Sequence, residues 1–124
     1  MGARRRGREL ALQLLYQYEL TGAAPEEMQR DFEEWQSATD AVRGFADALL
    51  RGALEHREEI DRHLERQTSH WRLERLAAVD RNILRLALFE LLFQSDTPLA
   101  VVIDEAIEIA KKYGAEDSPR FVNG

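Results

Sequence analysis

From Leu76 to Phe93 the apolar residues fall on two helical faces at once, and this limits the possible folds more than any other feature of the chain. Leu76, Val79, Ile83, Leu86, Ala87 and Leu91 make one stripe, while Leu84, Leu88 and Leu92 make a second. A surface helix needs a single apolar stripe; a helix with two must lie between neighbours. The remaining chain is therefore expected to wrap helices around this segment. With 124 residues it has room for one such core rather than two.

The flanking sequence supplies those helices. Leu10, Leu14, Leu15 and Tyr18 share a face with Ala11 beside them, and Gly22 offers a left-handed stop. Pro25 with Glu26 and Glu27 starts a short helix whose apolar edge is Phe32 and Trp35. Thr39 caps a longer one, in which Val42, Phe45, Leu49, Ala53, Ile60 and Leu64 keep helical spacing until a break near Gln67–Ser69. Thr97–Pro98 ends the two-faced helix. The β-branched run after it reads as helix rather than strand, because Leu99, Ile103, Ala106, Ala110 and Tyr113 share a face, Glu108 and Lys112 make an i,i+4 pair, and Gly114 terminates. Ser118–Pro119 opens one more helix, which has scarcely begun when the chain stops at Asn123–Gly124 and so reads as a truncated or incomplete end. The expected class is all-α, six or seven helices with no strand.

Several kinds of chemistry find no support. The chain has no cysteine, which removes disulfides, thiolate nucleophiles and iron–sulfur ligation and suits a reducing cytosol. His56, His63 and His70 recur every seven residues, a spacing that sets them ~10 Å apart along a helix, too far for one metal ion. The glycines build neither a phosphate-cradling loop nor a dinucleotide fingerprint, and no serine stands in a nucleophile elbow. Arg85 and Glu90, the lone charges within 84–93, lie five apart and so are expected to pair with other helices, Glu105 being a candidate for Arg85. No apolar run reaches the length of an export signal or a membrane span, and Arg6 replaces the hydroxyl residue that myristoylation needs. The expectation is a soluble, cytoplasmic protein with no active site, metal or cofactor.

The charge distribution gives a direction. Arg4, Arg5, Arg6 and Arg8 leave 13 basic against 22 acidic groups for residues 11–124, so a basic tip sits on an acidic body. Such a tip points to a localised anion contact rather than general polyanion binding. Four guanidiniums in five residues can grip successive phosphates bidentately. Their mutual repulsion predicts a segment that stays disordered until an anion arrives. Tyr16, Tyr18 and Phe121 are the aromatics within reach of such a strand. A second feature is the run Gly44, Ala48, Gly52, costly in a helix interior at ~1 kcal/mol per glycine. It reads either as a groove for a neighbouring helix or as a self-association face.

Three stretches carry a resemblance: Arg4-Arg5-Arg6-Gly7-Arg8-Glu9 running to Tyr16, Asp80-Arg81-Asn82-Ile83-Leu84-Arg85 running to Glu90-Leu91, and Asp104-Glu105-Ala106-Ile107-Glu108-Ile109-Ala110-Lys111 running through Gly114-Ala115-Glu116-Asp117-Ser118 to Phe121-Val122-Asn123-Gly124. In this order and spacing they resemble the NusB family of bacterial transcription antitermination factors. The resemblance implies two small packed helical bundles, over 9–67 and 70–124, preceded by an arginine arm at 1–8. It implies a non-enzymatic role: binding the single-stranded boxA element of ribosomal RNA transcripts with ribosomal protein NusE, in the complex that keeps RNA polymerase processive. Carried over residue by residue, Arg4, Arg5, Arg6, Arg8 and Tyr16 match the RNA contact, with Asp117 and Phe121 at its other end. Glu74 and Asp80 fall where the family meets NusE, an acidic patch suited to a basic protein. Two alternatives stand beside this: the related helical module of a ribosomal RNA methyltransferase, and a structural homodimer through the Gly44–Gly52 groove.

Overall fold

A computed structural model describes residues 2–67, 76–94 and 96–113. Among the described residues there are seven helices: α1 (Ala3–Thr21), α2 (Pro25–Arg30), α3 (Glu33–Gln36), α4 (Asp40–Glu55), α5 (Arg57–Gln67), α6 (Ala78–Phe93) and α7 (Leu99–Tyr113). The two-faced helix is central, as its pattern requires: α6 packs on α1, α4, α5 and α7. One hydrophobic cluster joins Leu10, Leu14 and Leu15 of α1 to Leu49 and Leu50 of α4, Ile60 of α5, Ile83 and Leu86 of α6, and Ile109 of α7.

Local signals fix most helix ends. Gly22 adopts φ 69°, and its N–H donates to the Tyr18 carbonyl, closing α1 in the conformation that glycine tolerates best. Pro25 opens α2 with Glu26 and Glu27 in the first turn. The Thr39 hydroxyl accepts from the Val42 N–H and starts α4.

Two boundaries differ from expectation. The segment holding Phe32 and Trp35 is divided, because Phe32 is extended and acts as the cap of α3 rather than continuing α2. The long helix breaks at His56, eleven residues before the expected place, with α5 restarting on the first-turn acids Glu58 and Glu59. His56 stacks on Phe93 at 4.0 Å between ring centroids, so a contact with α6 holds the break. The helix expected from Ser118 lies outside the described residues.

The small-residue run resolves unevenly. A Cβ on Gly52 would lie 2.0 Å from the Phe89 ring, whereas one on Gly44 would meet nothing within 4 Å. At its Gly52 end the run is a seat for α6, the groove reading; its Gly44 end stays open.

Candidate RNA interface

The arginine cluster is helical. α1 begins at Ala3, so Arg4 to Arg8 form its first two turns, and the expected disordered arm is corrected. Carboxylates from other elements and from α1 itself offset the repulsion that would have unfolded it. Helical geometry then sends the arginines to different faces.

Arg4, Gly7 and Arg8 face α4. Gly7 admits Phe45 of α4, whose Cδ2 would lie 2.7 Å from an added Cβ. The Arg4 and Arg8 guanidiniums each sit 5.3 Å from the Phe45 ring centroid, one turn apart. There the two part company. Arg8 reaches inward and donates from Nε and Nη2 to the two Glu90 oxygens, both at 2.8 Å. Its side chain is 6% exposed and that of Glu90 2%, a buried bidentate pair tying α1 to α6. Arg4 points outward: 57% exposed, it donates to Thr97 Oγ1 at 3.3 Å and lies 3.8 Å from the open carboxylate of Asp96.

Arg5 and Arg6 lie along the seam with α7. Arg5 donates to both Glu105 oxygens at 2.7 and 3.0 Å. That hydrogen bond is the main cause holding the Glu105 carboxyl below its ordinary range and raising the Arg5 guanidinium. Arg6 donates to Oε1 of buried Glu9 at 3.2 Å, and Lys112 of α7 donates to both Glu9 oxygens at 3.2 Å. One turn on, Gln13 donates to Tyr113 Oη. Tyr16, on the same α1 face as Arg5 and Glu9 by helical spacing, is exposed at the far end of the seam.

Arg85 and Glu90 each pair with another helix, as expected, but two partners differ from their sequence-based assignments. Arg85 pairs with Asp61 and lies beside Glu19, not Glu105. Lys112 takes Glu9, leaving Glu108 to Lys111. Lys112 and Glu105 were not picked out as site residues, although Glu105, Ile109 and Lys112 recur at i, i+4 and i+7 and so had to face one neighbour.

Asp80, expected at a partner surface, is 3% exposed in the first turn of α6, and its Oδ1 has no hydrogen-bond partner among the described residues. An acidic side chain in the first turn of a helix is favoured by the positive end of the dipole, and here Ala77 offers no side-chain cap. Glu74, Asp117, Phe121 and His70 lie outside the described residues. No three histidine or acidic side chains among the described residues are grouped as a metal site would require.

The basic tip is thus part of a helix, and the rest of the chain is acidic. The sequence model of the NusB family matches residues 5–124. The chain belongs to the NusB family. Transcription antitermination protein NusB of Geobacter sulfurreducens is 52% identical, over 100% of this chain and 91% of that protein. NusB of Trichlorobacter lovleyi is 48% identical over 100% of this chain and 87% of its own length. The solved structure of T. maritima NusB shares the fold at TM-score 0.85 and 42% identity, covering 98% of this chain and 85% of that one. A crystal structure of antitermination factors NusB and NusE in complex with double-stranded RNA matches at TM-score 0.87 and 34% identity, over 100% of this chain and 92% of that one. The fold expected from the NusB resemblance, all-α with no strand among the described residues, is therefore the fold found.

Proposed function

We propose that this chain is a non-catalytic transcription antitermination factor that binds the single-stranded boxA element of ribosomal RNA transcripts together with NusE, within the RNA polymerase antitermination complex of the bacterial cytoplasm. One observation carries the reading: the match to NusB proteins runs the length of the chain and includes the arginine tip, the same region that physical chemistry singles out for phosphate. The likeness to a NusB–NusE–RNA complex supports both partners. No helix of the described residues is long and apolar enough to cross a membrane.

In this reading the outward arginines Arg4, Arg5 and Arg6 meet phosphates, with Tyr16 further along the same helix to stack a base. Arg8 supports them from beneath. Asp117 and Phe121 continue the RNA surface; Glu74 and Asp80 serve the contact with NusE, Asp80 as a buried residue at the start of α6. The acidic body keeps other polyanions away, so affinity depends on the strand and on the partner.

The test is titration of fluorescent boxA RNA and a scrambled strand of equal length, with and without NusE. Tighter binding of boxA, strengthened by NusE, is expected, and the coupling must be reciprocal. Equal binding of both strands with NusE present contradicts the reading.

A further inference from the structure

Two of the four α1 arginines are neutralised one for one. Arg5 has Glu105, and Arg8 has Glu90. The exception is Glu9. Its carboxylate is 2% exposed, yet it holds two cations from two helices: Arg6 Nη1 and Lys112 Nζ, both at 3.2 Å. One buried negative charge gathers two positive ones, which leaves a surplus of one at this point of the seam. Both cations also reach solvent, Arg6 with 35% and Lys112 with 48% of the side chain exposed. Arg6 uses one guanidinium nitrogen on Glu9, and Lys112 has three N–H donors of which Glu9 takes part.

We infer that Arg6 and Lys112, converged by the buried carboxylate of Glu9, form a two-cation clamp for a single RNA phosphate, so that the RNA surface extends from α1 onto the C-terminal turn of α7. This rests on the RNA-binding reading and adds to it a residue, Lys112, and a positioning role for Glu9. The arrangement has the parts that phosphate recognition needs: a planar donor and a point charge a few ångströms apart, fixed before the ligand arrives. Glu9 supplies that fixing, since it is buried and draws α1 and α7 to the same carboxylate. The hydrogen bond to Glu9 also raises the Lys112 ammonium above its ordinary pKa, so it stays charged throughout the physiological range. The clamp lies between Arg5 and Tyr16 along the seam, on a path that one strand can follow.

The experiment measures affinity of the full chain for a single-stranded boxA RNA oligonucleotide across a salt series, for the unaltered protein, Lys112→Ala, Lys112→Gln, Lys112→Arg and Lys111→Ala. Lys111 removes the same charge one residue away, where it pairs with Glu108 on the surface. Removing Lys112 should weaken binding about three- to tenfold and flatten the log-affinity against log-salt slope by about 0.7, one single-strand phosphate contact. Lys112→Arg should bind within twofold of the unaltered protein, and Lys111→Ala should lose less than a third as much as Lys112→Ala. Melting temperatures separate a folding defect from a lost contact, with Lys112→Gln standing in for the alanine variant if that one unfolds. Equal losses at Lys111 and Lys112 mean a general charge effect and overturn the clamp, as does an unchanged slope. If the unaltered protein shows no preference for boxA over a scrambled strand, alone or with NusE, it is the RNA-binding reading itself that has failed.

Discussion

Arg8 and Arg4 stand one helical turn apart on α1, touch the same phenylalanine, and have opposite fates. Arg8 lies between helices with its fork on both Glu90 oxygens, while Arg4 leans across the rim with its nearest carboxylate even more exposed than itself. The difference shows that a run of like charges in a sequence is not one functional unit. On a helix, residues three and four apart share a face and neighbours do not, so the surrounding fold sorts the run into a buried inner member and an exposed outer rim. One residue type thus occupies two environments, and each can be disturbed without the other.

The largest effect should come from the inner member. Glu90→Gln keeps the shape but leaves the Arg8 guanidinium buried without its counter-charge, which should cost about 3–5 kcal/mol in urea unfolding. A loss below about 1 kcal/mol would place Arg8 in solvent and erase the contrast. Next is the glycine between the two arginines. Gly7→Ala drives a methyl against Phe45 and the backbone of α4, and overpacking of this kind costs about 1–3 kcal/mol. Because the ring also carries Arg4, the variant should weaken RNA binding as well as stability.

The rim is tested by ligand rather than by unfolding. Arg4→Ala with Arg5→Ala should leave stability nearly unchanged, since exposed ion pairs contribute little. It should weaken boxA RNA binding and flatten the salt slope by about 1.4, roughly 0.7 for each lost phosphate. The smallest effect is acid-dependent. Arg5 holds the Glu105 carboxyl below the ordinary value of 4.5, so the pair stabilises the fold above that pH and the contribution fades as pH falls through the lowered value. The stability gap between the unaltered protein and Glu105→Gln should be below about 1 kcal/mol at neutral pH and close on acidification, as the partly exposed partner implies. A gap that widens in acid would mean that Glu105 is not held by Arg5.

What the sequence told in advance follows from how local each signal is. Gly22, Pro25 and Thr39 end or start helices through atoms within a few residues of themselves, and all three did so as read. The two apolar stripes of α6 depend on periodicity alone, and they placed that helix at the centre. The break at His56 was not legible, because a ring on a distant helix holds it. Nor was the order of the arginine tip: four adjacent guanidiniums predict repulsion, and beyond Glu9, which is local to Arg6, only the fold brings Glu90 and Glu105 to the arginines and Lys112 to Glu9. For the same reason Arg85 found Asp61 rather than Glu105, and Lys112 left its expected helical neighbour Glu108 for Glu9 on α1. Asp80, set at a partner surface by motif position, is buried in the first turn of α6, which periodicity did not foretell.

The division of labour has a direct test in a variant that removes the inner pair without leaving a charge stranded. Arg8→Met combined with Glu90→Leu replaces a buried ion pair by apolar side chains, a change often tolerated when both partners go together. With folding checked by circular dichroism, the quantity to measure is the salt dependence of boxA RNA binding. If Arg8 is structural, the double variant should bind with the affinity and slope of the unaltered protein. A slope flattened by about 0.7 would show Arg8 holding a phosphate and contradict the split between its buried pair and the exposed rim.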